Sequence, residues 1–335
     1  MDRNALHQRS QAARLIDAHV HLGLDPAGYL DGNYPYALSG EDLVMRLDRM
    51  GLDMAVAFPF VYSGYFDLAA WRMGRFRRAR GGCQTAPYAG ENRALCHELY
   101  QLRPEFGERV IPFAFFDPGR LAQEQAAVLR DLAAEFPLCG LKTASTYLHS
   151  RGTALLKTGR PLLDLAAEMD WPVLLHTSIH PDDAWANVFD LLTVVRARPD
   201  VRFCLAHSCR FSRRALEAAA LLDNCWVDCS ALCIHCRLAT QGSPIVAPEA
   251  DRFAAPYHDP AATLAALAAV LPGKLLWGTD APYYQFHGAF TDASGVRQMF
   301  HLPCTMEEEA AVLQALDGTT RARIAHENTL RFLWG

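Results

Sequence analysis

Residues 16–22, IDAHVHL, combine the apolar pattern of a β-strand with two histidines that lie two residues apart. Because side chains alternate between the two faces of a strand, His19 and His21 are expected on the same face. Two imidazoles placed in this way can bind a single metal ion. Two polar residues at the end of a strand would give the same pattern, so the pair needs support from the rest of the chain.

Seven other segments are also short, apolar and rich in β-branched or aromatic residues. The eight predicted strands cover residues 15–22, 54–61, 110–116, 138–145, 172–178, 202–208, 225–231 and 274–281. Several are nearly continuous apolar runs, which is typical of parallel strands covered on both faces. Segments with helical periodicity lie between them. One example is GEDLVMRLDRMG (40–51), which places Leu43, Leu47 and Met50 on one face and ends at Gly51.

Strands and helices that alternate eight times predict an α/β fold, namely a (β/α)8 TIM barrel formed by residues 1–335 as a single domain. A doubly wound open sheet is the alternative, but no GxGxxG motif follows an early strand. Two connections, at about 62–90 and 232–259, exceed the usual loop length. Both follow strands, so we expect them at the C-terminal face of the barrel, where active sites form.

Three more polar side chains recur near the C-terminal ends of predicted strands. His176 lies in VLLHTS, His207 in FCLAHS and Asp280 in LLWGTD. Burying such a group without a partner costs about 1–3 kcal/mol, so several of them at one rim indicate a shared role. Together with His19 and His21, they predict a metal site at the C-terminal face of the strands.

Composition and charge argue against several classes of protein. Hydrophobic residues make up 51% and charged residues 21% of the chain, as is typical of a globular enzyme. The net charge of -5 offers no attraction to nucleic acid or to an anionic membrane, and no run approaches the roughly 18 apolar residues of a membrane span. The N-terminus also lacks the apolar core of a secretory signal. We therefore expect a cytoplasmic protein with a small-molecule substrate; apolar residues in the long connections leave room for a homodimer.

The motifs IDAHVHL, LLHTS, LAHS and LLWGTDAP, with HENTLRFLWG near the end of the chain, resemble those of the amidohydrolase superfamily and its amidohydrolase-2 branch. The resemblance extends from the first strand to the C-terminal helix. It implies that a divalent metal ion is bound by His19, His21, His176 and Asp280, with His207 beside it. Zinc is the expected ion; manganese, iron and cobalt are alternatives for a mixed imidazole and carboxylate ligand set.

The resemblance also implies a reaction. A metal ion of this kind lowers the pKa of a water molecule to about 7, and Asp280 would accept a proton from that water. The expected activity is hydrolysis of a small, carboxylated amide, ester or lactone, with Asp280, His207 and Lys142 as catalytic residues. The alternative is nonoxidative decarboxylation of an aromatic or unsaturated carboxylic acid, because the amidohydrolase-2 branch includes both kinds of enzyme.

Lys142, in CGLKTAS (139–145), leaves three interpretations open. In relatives that bind two metal ions, a lysine at the end of the fourth strand is carbamylated and bridges the ions. A protonated Lys142 would instead anchor an anionic substrate, and a structural role is the third interpretation. The number of metal ions therefore stays open.

Arginines in the first long connection suggest how this chain would recognise a carboxylate. The cluster comprises Arg72, Arg75, Arg77, Arg78 and Arg80. A planar guanidinium binds a carboxylate through two hydrogen bonds, so Arg72 and Arg75 are predicted to bind substrate. Solvated surface charge is the simpler alternative. For Tyr283 and Tyr284, shortly after Asp280, there are two interpretations: they line the same pocket, with Tyr283 binding substrate, or they cover the rim of the barrel.

Cysteines and acidic residues near the seventh strand give weaker signals. Cys233 and Cys236 form a CxxC pair, which is half of a structural zinc site, but a second CxxC is missing. Cys225 and Cys229 share a strand face and are expected in the core. For Asp228, His258 and Asp259, a place in the pocket and a purely structural role are equally supported.

Overall fold

The computed structural model describes residues 2–283, 286–291, 297–302 and 304–335. The strands are β1 (Ile16–Leu24), β2 (Ala37–Leu38), β3 (Met54–Pro59), β4 (Val110–Phe115), β5 (Gly140–Thr143), β6 (Val173–Leu175), β7 (Phe203–Leu205), β8 (Cys225–Asp228), β9 (Leu275–Leu276), β10 (Phe286–Thr291) and β11 (Arg297–Leu302). All eight predicted strands are confirmed. They correspond to β1 and β3–β9, with ends that differ by a few residues.

Sixteen α-helices are present in the described residues. They are α1 (Arg3–Ala12), α2 (Pro26–Asp31), α3 (Gly40–Met50), α4 (Leu68–Arg72), α5 (Ala89–His97), α6 (Pro104–Gly107), α7 (Ala122–Glu135), α8 (Ser145–Leu148), α9 (Arg160–Glu168), α10 (Val188–Ala197), α11 (Arg213–Ala220), α12 (Leu232–Thr240), α13 (Pro260–Val270), α14 (Met306–Gln314), α15 (Gly318–Ala322) and α16 (Asn328–Trp334). Short 3-10 or π segments cover Glu98–Leu102, Gly152–Leu156, His207–Phe211, Glu249–Asp251 and Arg323–Glu327.

Capping residues set the helix boundaries. The Ser39 side chain accepts a hydrogen bond from the backbone of Asp42 at the start of α3, and Gly51, with a φ of 68°, ends the helix as predicted. Helix α10 begins only at Val188, although helical periodicity starts near residue 182. The Asn187 side chain caps it by accepting from the Phe189 amide.

The nine strands β1–β9 form one sheet in the order β2-β1-β3-β4-β5-β6-β7-β8-β9. All neighbours pair in parallel except β2, which pairs antiparallel with β1. Backbone hydrogen bonds also join β1 to residues that follow β9: the Ala18 amide donates to the Trp277 carbonyl at 3.0 Å, and the His21 amide to the Ala281 carbonyl at 2.7 Å. The sheet is therefore curled and mostly parallel. Strands β10 and β11 form a separate antiparallel pair.

Alternate residues of the strands belong to two separate apolar clusters. In β3, Ala55 and Ala57 pack in the cluster that includes the helices, whereas Val56 and Phe58 pack in the cluster on the other side of the sheet. Both faces of the strands are therefore covered, which explains their continuous apolar sequences. His19 lies against Phe58 with a ring separation of 5.0 Å, so the polar site rests directly on the second cluster.

The two long connections contain structure of their own. Helix α4 lies in the first connection, where Trp71 and Phe76 pack edge to face at 4.9 Å. The second begins with α12, so residues 232–240 are helical. Across the described residues, no helix has the length and apolar character needed to cross a membrane.

Candidate metal centre

Two histidines of β1 and one aspartate after β9 come together at the C-terminal ends of the strands. One ligand atom each from His19, His21 and Asp280 lies within 4.8 Å of the other two. Asp280 Oδ1 is 3.2 Å from His19 Nε2 and 3.5 Å from His21 Nε2. The pairing predicted from the two-residue spacing is therefore present, with Asp280 completing a group of three.

A register shift in β1 orients the two histidines. Ile16 and Ala18 pack in the cluster with Phe58, but Val20 and Leu22 pack in the other cluster. Strict alternation would place all four of these residues on one face of the strand. The pairing of β1 with β3, however, shifts between Asp17 and Val20. After this shift, His19 and His21 lie on the same side of the sheet as Ile16 and Ala18.

Asp228, the last residue of β8, connects His19 to His207. Its Oδ2 lies 3.0 Å from His19 Nδ1, and its Oδ1 accepts from the His207 amide at 3.0 Å and from Ser230 Oγ at 2.6 Å. Burial alone would raise the pKa of Asp228, but His19 and these hydrogen bonds lower it to about 2. Asp228 is therefore an anion that holds the proton of His19 on Nδ1 and leaves Nε2 facing Asp280.

His21 is oriented in the same way by the backbone. Its Nδ1 lies 3.0 Å from the carbonyl oxygen of Pro59 and donates to it, which leaves Nε2 as the acceptor that faces Asp280. Burial lowers the pKa of His21 to about 4, so the ring is neutral at pH 7. Burial also opposes the charge of Asp280, but the charge of His19 beside it holds the pKa of that carboxyl well below its usual range.

His176 belongs to a neighbouring chain of hydrogen bonds. Its Nε2 accepts from Arg210 Nη2 at 3.0 Å, so its Nδ1 carries the proton and donates to His207 Nε2, also at 3.0 Å. Burial, reinforced by Arg210, holds the pKa of both histidines well below the usual value. The structure therefore brings His176 and His207 to the site, but His176 is not one of the three grouped ligands and its role as a ligand stays a prediction.

An unusual turn positions His207 and Arg210. All five residues from His207 to Phe211 have φ values between 49° and 60°, in the left-handed region. This conformation costs roughly 1–2 kcal/mol per residue for side chains with a Cβ, and such strain concentrates at functional sites. Asp280, with a φ of 63°, has the same backbone conformation.

Lys142 lies on β5 and is almost completely buried. Its Nζ is 3.2 Å from His19 Nε2, the nitrogen that faces Asp280. Burial lowers the pKa of Lys142 to about 8. The structure therefore brings Lys142 to the three grouped ligands, and all three interpretations of this residue stay open.

A cavity of about 460 Å³ opens above the cluster. Asp280, His21 and Lys142 line its polar end, together with His176, His207, Arg210, His235 and Tyr283. Its walls are largely apolar and include Val61, Ala144, Ile234, Leu238 and Ile245. Tyr283, predicted to line the pocket, does so and packs edge to face on His21 at 5.0 Å; Tyr284 lies outside the described residues.

Some predicted residues lie away from this cavity. The Arg72 side chain pairs with Asp31, and Arg75 is exposed; neither lines the cavity. His258 and Asp259 are exposed, and Asp259 caps α13 by accepting from the Ala262 amide. Cys225 and Cys229 pack in the core as expected.

Arg210 and His235 are two polar residues of the cavity that sequence reasoning missed. Arg210 lies in CRF directly after LAHS. His235 lies within the CxxC segment, where the spacing indicated the cysteines as candidate ligands. Arg210 is buried; its Nε donates to the Thr177 carbonyl at 2.7 Å and its Nη1 contacts His235 Nε2. A turn of left-handed residues places Arg210 here, and no periodic pattern predicts such a turn.

The grouped side chains fit a divalent ion. Two ligands held tetrahedrally at about 2.1 Å from zinc are separated by roughly 3.4 Å, close to the observed separations of the two imidazole nitrogens from Asp280. Each imidazole also has its second nitrogen engaged by Asp228 or Pro59, the arrangement typical of histidines that bind metal. His19, His21 and Asp280 are therefore the residues that would hold an ion.

Comparisons with known proteins show which solved structures share the fold of this chain. The 4-oxalomesaconate hydratase of Rhodopseudomonas palustris shares 16% identity, with a TM-score of 0.55 and coverage of 95% of both chains. The IDCase of Metarhizium anisopliae shares 14%, with a TM-score of 0.54 and coverage of 97% of this chain and 98% of that chain. An amidohydrolase from Burkholderia multivorans, solved with bound zinc, shares 14%, with a TM-score of 0.54 and coverage of 95% and 98%.

At these identities, the similarities show a shared fold and leave the reaction of this chain open. A search among curated protein sequences finds no match. The profile of a family described as Amidohydrolase, however, matches residues 16–334, from β1 to the last residue of α16. The chain therefore belongs to the amidohydrolase-2 family and is an enzyme of a metal-dependent family.

Proposed function

We propose that the protein is a metal-dependent hydrolase of a small, carboxylated amide, ester or lactone. The observation that carries the proposal is the group formed by His19, His21 and Asp280, whose ligand atoms meet at the end of a cavity. We further propose that residues 1–335 form one domain in which the curled sheet closes as a (β/α)8 barrel. The hydrogen bonds from β1 to Trp277 and Ala281 support this closure.

His19, His21 and Asp280 would hold the ion, zinc being the first candidate, and His176 would join them if its Nε2 left Arg210. A bound divalent ion supplies Lewis-acid polarisation of a carbonyl and makes a water molecule more acidic. Asp280 stays ionised across neutral pH because the charge of His19 lowers its pKa. Its carboxylate would receive the proton of the attacking water and pass it to the leaving group.

Arg210 is proposed to bind the carboxylate of the substrate. Its guanidinium is buried, and no described carboxylate forms an ion pair with it; it contacts one carbonyl and two imidazoles. A buried cation without an anion is unfavourable, and a carboxylate that entered the cavity would remove this cost. Arg72 and Arg75 do not line the cavity.

The apolar walls favour a substrate with a hydrophobic body. Ile234, Leu238 and Ile245 lie on the side of the cavity formed by α12 and the segment after it. A ring or short chain would contact these residues while its carboxylate meets Arg210. A scissile carbonyl at the opposite end would then lie near Asp280.

A substrate screen tests the proposed reaction. Zinc-loaded protein should hydrolyse members of a panel of carboxylated lactones, amides and esters, and Asp280→Asn should remove that activity. The same panel should include 2-hydroxybenzoates, with release of carbon dioxide followed in parallel. Release of carbon dioxide without hydrolysis of any ester, amide or lactone would replace the proposal by nonoxidative decarboxylation.

The assignment of Arg210 has its own test. Arg210→Ala removes hydrogen bonds to a charged group, worth about 1.5–3 kcal/mol, so KM for a carboxylated substrate should rise roughly 10–100-fold. KM for the uncharged ester of the same substrate should rise much less. Arg72→Ala is the competing variant, and a larger rise in KM for Arg72→Ala than for Arg210→Ala would reject the assignment.

Mass spectrometry of the intact, unheated protein tests the state of Lys142. A mass increase that matches a carbamate and disappears in Lys142→Arg would establish the bridging interpretation. An unmodified mass would leave the anchoring and structural interpretations, which Lys142→Met separates through its effect on KM.

A further inference from the structure

We propose that Cys233, Cys304 and Glu309 form a second metal site, a structural one, next to the catalytic cavity. One ligand atom from each of these three residues lies within 4.8 Å of the other two. Thiolates and a carboxylate are ligands that zinc accepts in proteins. The proposal rests on this cluster alone and does not depend on the reaction proposed above.

Glu309 provides the independent observation that points to a ligand. The residue is 0% exposed, and its Oε2 is a buried oxygen without a hydrogen-bond partner among the described atoms. Its Oε1 accepts from the Cys233 amide at 2.8 Å and from Cys304 Sγ at 3.6 Å. No described lysine, arginine or histidine forms an ion pair with it, so the carboxyl group is left without a compensating cation.

A buried carboxyl group without a cation is unfavourable. A metal ion removes this cost, because it pairs with the carboxylate and with both thiolates. Ligand atoms around zinc are separated by roughly 3.4–3.8 Å, so the cluster needs to contract by about 1.4 Å at most. The ligands come from two parts of the chain that are far apart in sequence, which explains why the CxxC spacing alone did not identify them.

The start of α12 offsets part of the negative charge of such a site. Cys233 is the second residue of this nine-residue helix, and Glu309 Oε1 accepts from its backbone amide. Unsatisfied amides at a helix N-terminus carry partial positive charge, which favours thiolates and carboxylates there. Two thiolates, one carboxylate and a divalent ion leave one net negative charge, which the helix end stabilises.

The site would fix one wall of the cavity. Ile234, His235 and Leu238 belong to α12 and line the cavity, and His235 contacts Arg210. An ion at Cys233 would hold the start of α12 to Cys304 and to Glu309 on α14. Its role would therefore be to position α12, and no chemical step is assigned to it.

Cobalt substitution tests the site in the wild-type protein. The cluster of His19, His21 and Asp280 has no sulfur, so a near-ultraviolet thiolate-to-cobalt charge-transfer band requires a cysteine site. We expect this band in reduced, cobalt-loaded protein. We also expect Cys304→Ser to abolish the band and to lower bound metal by one equivalent per chain. Cys96→Ser, which changes an equally buried thiol on α5, should keep both.

Two results of the cobalt experiment would overturn the proposal. One is wild-type protein with reduced thiols that binds cobalt without the band. The other is a band that Cys304→Ser leaves intact. Glu309→Gln is a second variant, for the case that Cys304→Ser does not fold. It keeps the side-chain volume and the acceptor for the Cys233 amide. It should still weaken cobalt binding. A disulfide between Cys233 and Cys304 in freshly isolated protein, detected by mass spectrometry without reductant, would also reject the site.

Discussion

At the scale of single residues, the site depends on which nitrogen of each histidine carries the proton. Asp228 and Pro59 engage the Nδ1 atoms of His19 and His21, so both Nε2 atoms face Asp280. The HxH spacing predicted the shared face of the two rings. This spacing contains no information on which nitrogen carries the proton. The tautomers are set by Asp228 of β8 and Pro59 of β3, which are distant from the histidines in sequence.

Asp228→Asn tests this role of the carboxylate. The amide does not stabilise the Nδ1 proton of His19 as an anion does, so metal affinity should fall 10–100-fold while the fold is retained. Competition with a chromogenic chelator measures the affinity. Asp223→Asn, an exposed aspartate close to the start of β8, is the matched control. Equal affinities of the two variants would show that Asp228 does not support the metal ligand.

At the scale of elements, strands and most helices were predictable because apolar runs and capping residues report directly on burial and on helix ends. The register shift in β1 and the left-handed turn at 207–211 were not predictable. Both depend on contacts with neighbouring strands and loops, which no local pattern encodes. Arg210 was missed for this reason, and Arg72 and Arg75 were chosen from their loop position alone.

Gly278 shows how closely two elements approach at the site. A Cβ at this position would lie 2.8 Å from the Cβ of His19 and 3.0 Å from its amide nitrogen. Gly278→Ala should therefore displace β1, lower the free energy of unfolding by about 1–3 kcal/mol and weaken metal binding. Denaturant unfolding and chelator competition measure the two effects.

Gly273→Ala is the control for that change. Its Cβ would meet only the end of the Arg331 side chain, at 3.9 Å. The control should leave stability and metal affinity near those of the wild type. If Gly278→Ala behaved like this control, the close approach of Gly278 to β1 would be contradicted.

Hydrogen bonds of Asp251 join the second long connection to the segment that follows the turn of Arg210. It accepts from Ser212 Oγ at 2.6 Å and from Arg214 Nε at 3.0 Å. Burial opposes its charge, but these hydrogen bonds lower its pKa below the usual value. Its stabilising contribution is therefore present above the ordinary aspartate pKa of about 4 and is lost as the pH falls through the lowered value.

Asp251→Asn should lower the free energy of unfolding at pH 7 by about 1–3 kcal/mol. The difference from the wild type should shrink as the pH falls from about 4 through the lowered pKa, because the carboxyl group becomes protonated first in the unfolded chain and then in the folded one. Urea unfolding at several pH values measures this difference. Glu249→Gln, an exposed neighbour in the same short helix, should show neither effect. A deficit in Asp251→Asn that stayed constant with pH would contradict the assignment.

At the scale of the whole molecule, one curled sheet collects residues from both ends of the chain into one cluster. His19 and Asp280 are separated by most of the sequence, yet the Asp280 amide donates to the His19 carbonyl at 2.9 Å. The order of motifs predicted this meeting, since the C-terminal ends of parallel strands lie at one edge. The position of His176 beside Arg210 required the folded chain.

Removal of the metal should therefore lower global stability. An ion present at 100 times its dissociation constant stabilises the folded chain by about 2.7 kcal/mol, so a chelator should lower Tm by several degrees. Differential scanning calorimetry with and without zinc measures this shift. The variant with His19→Ala and His21→Ala should show a smaller zinc-dependent shift than the wild type, and an equal shift in both would place the stabilising ion elsewhere.

Anomalous diffraction at the zinc absorption edge, from crystals of zinc-loaded wild-type protein, tests the central claim most directly. We expect an anomalous peak at about 2.0–2.2 Å from His19 Nε2, His21 Nε2 and a carboxylate oxygen of Asp280. Zinc bound in the crystal with no peak between these three side chains would contradict it.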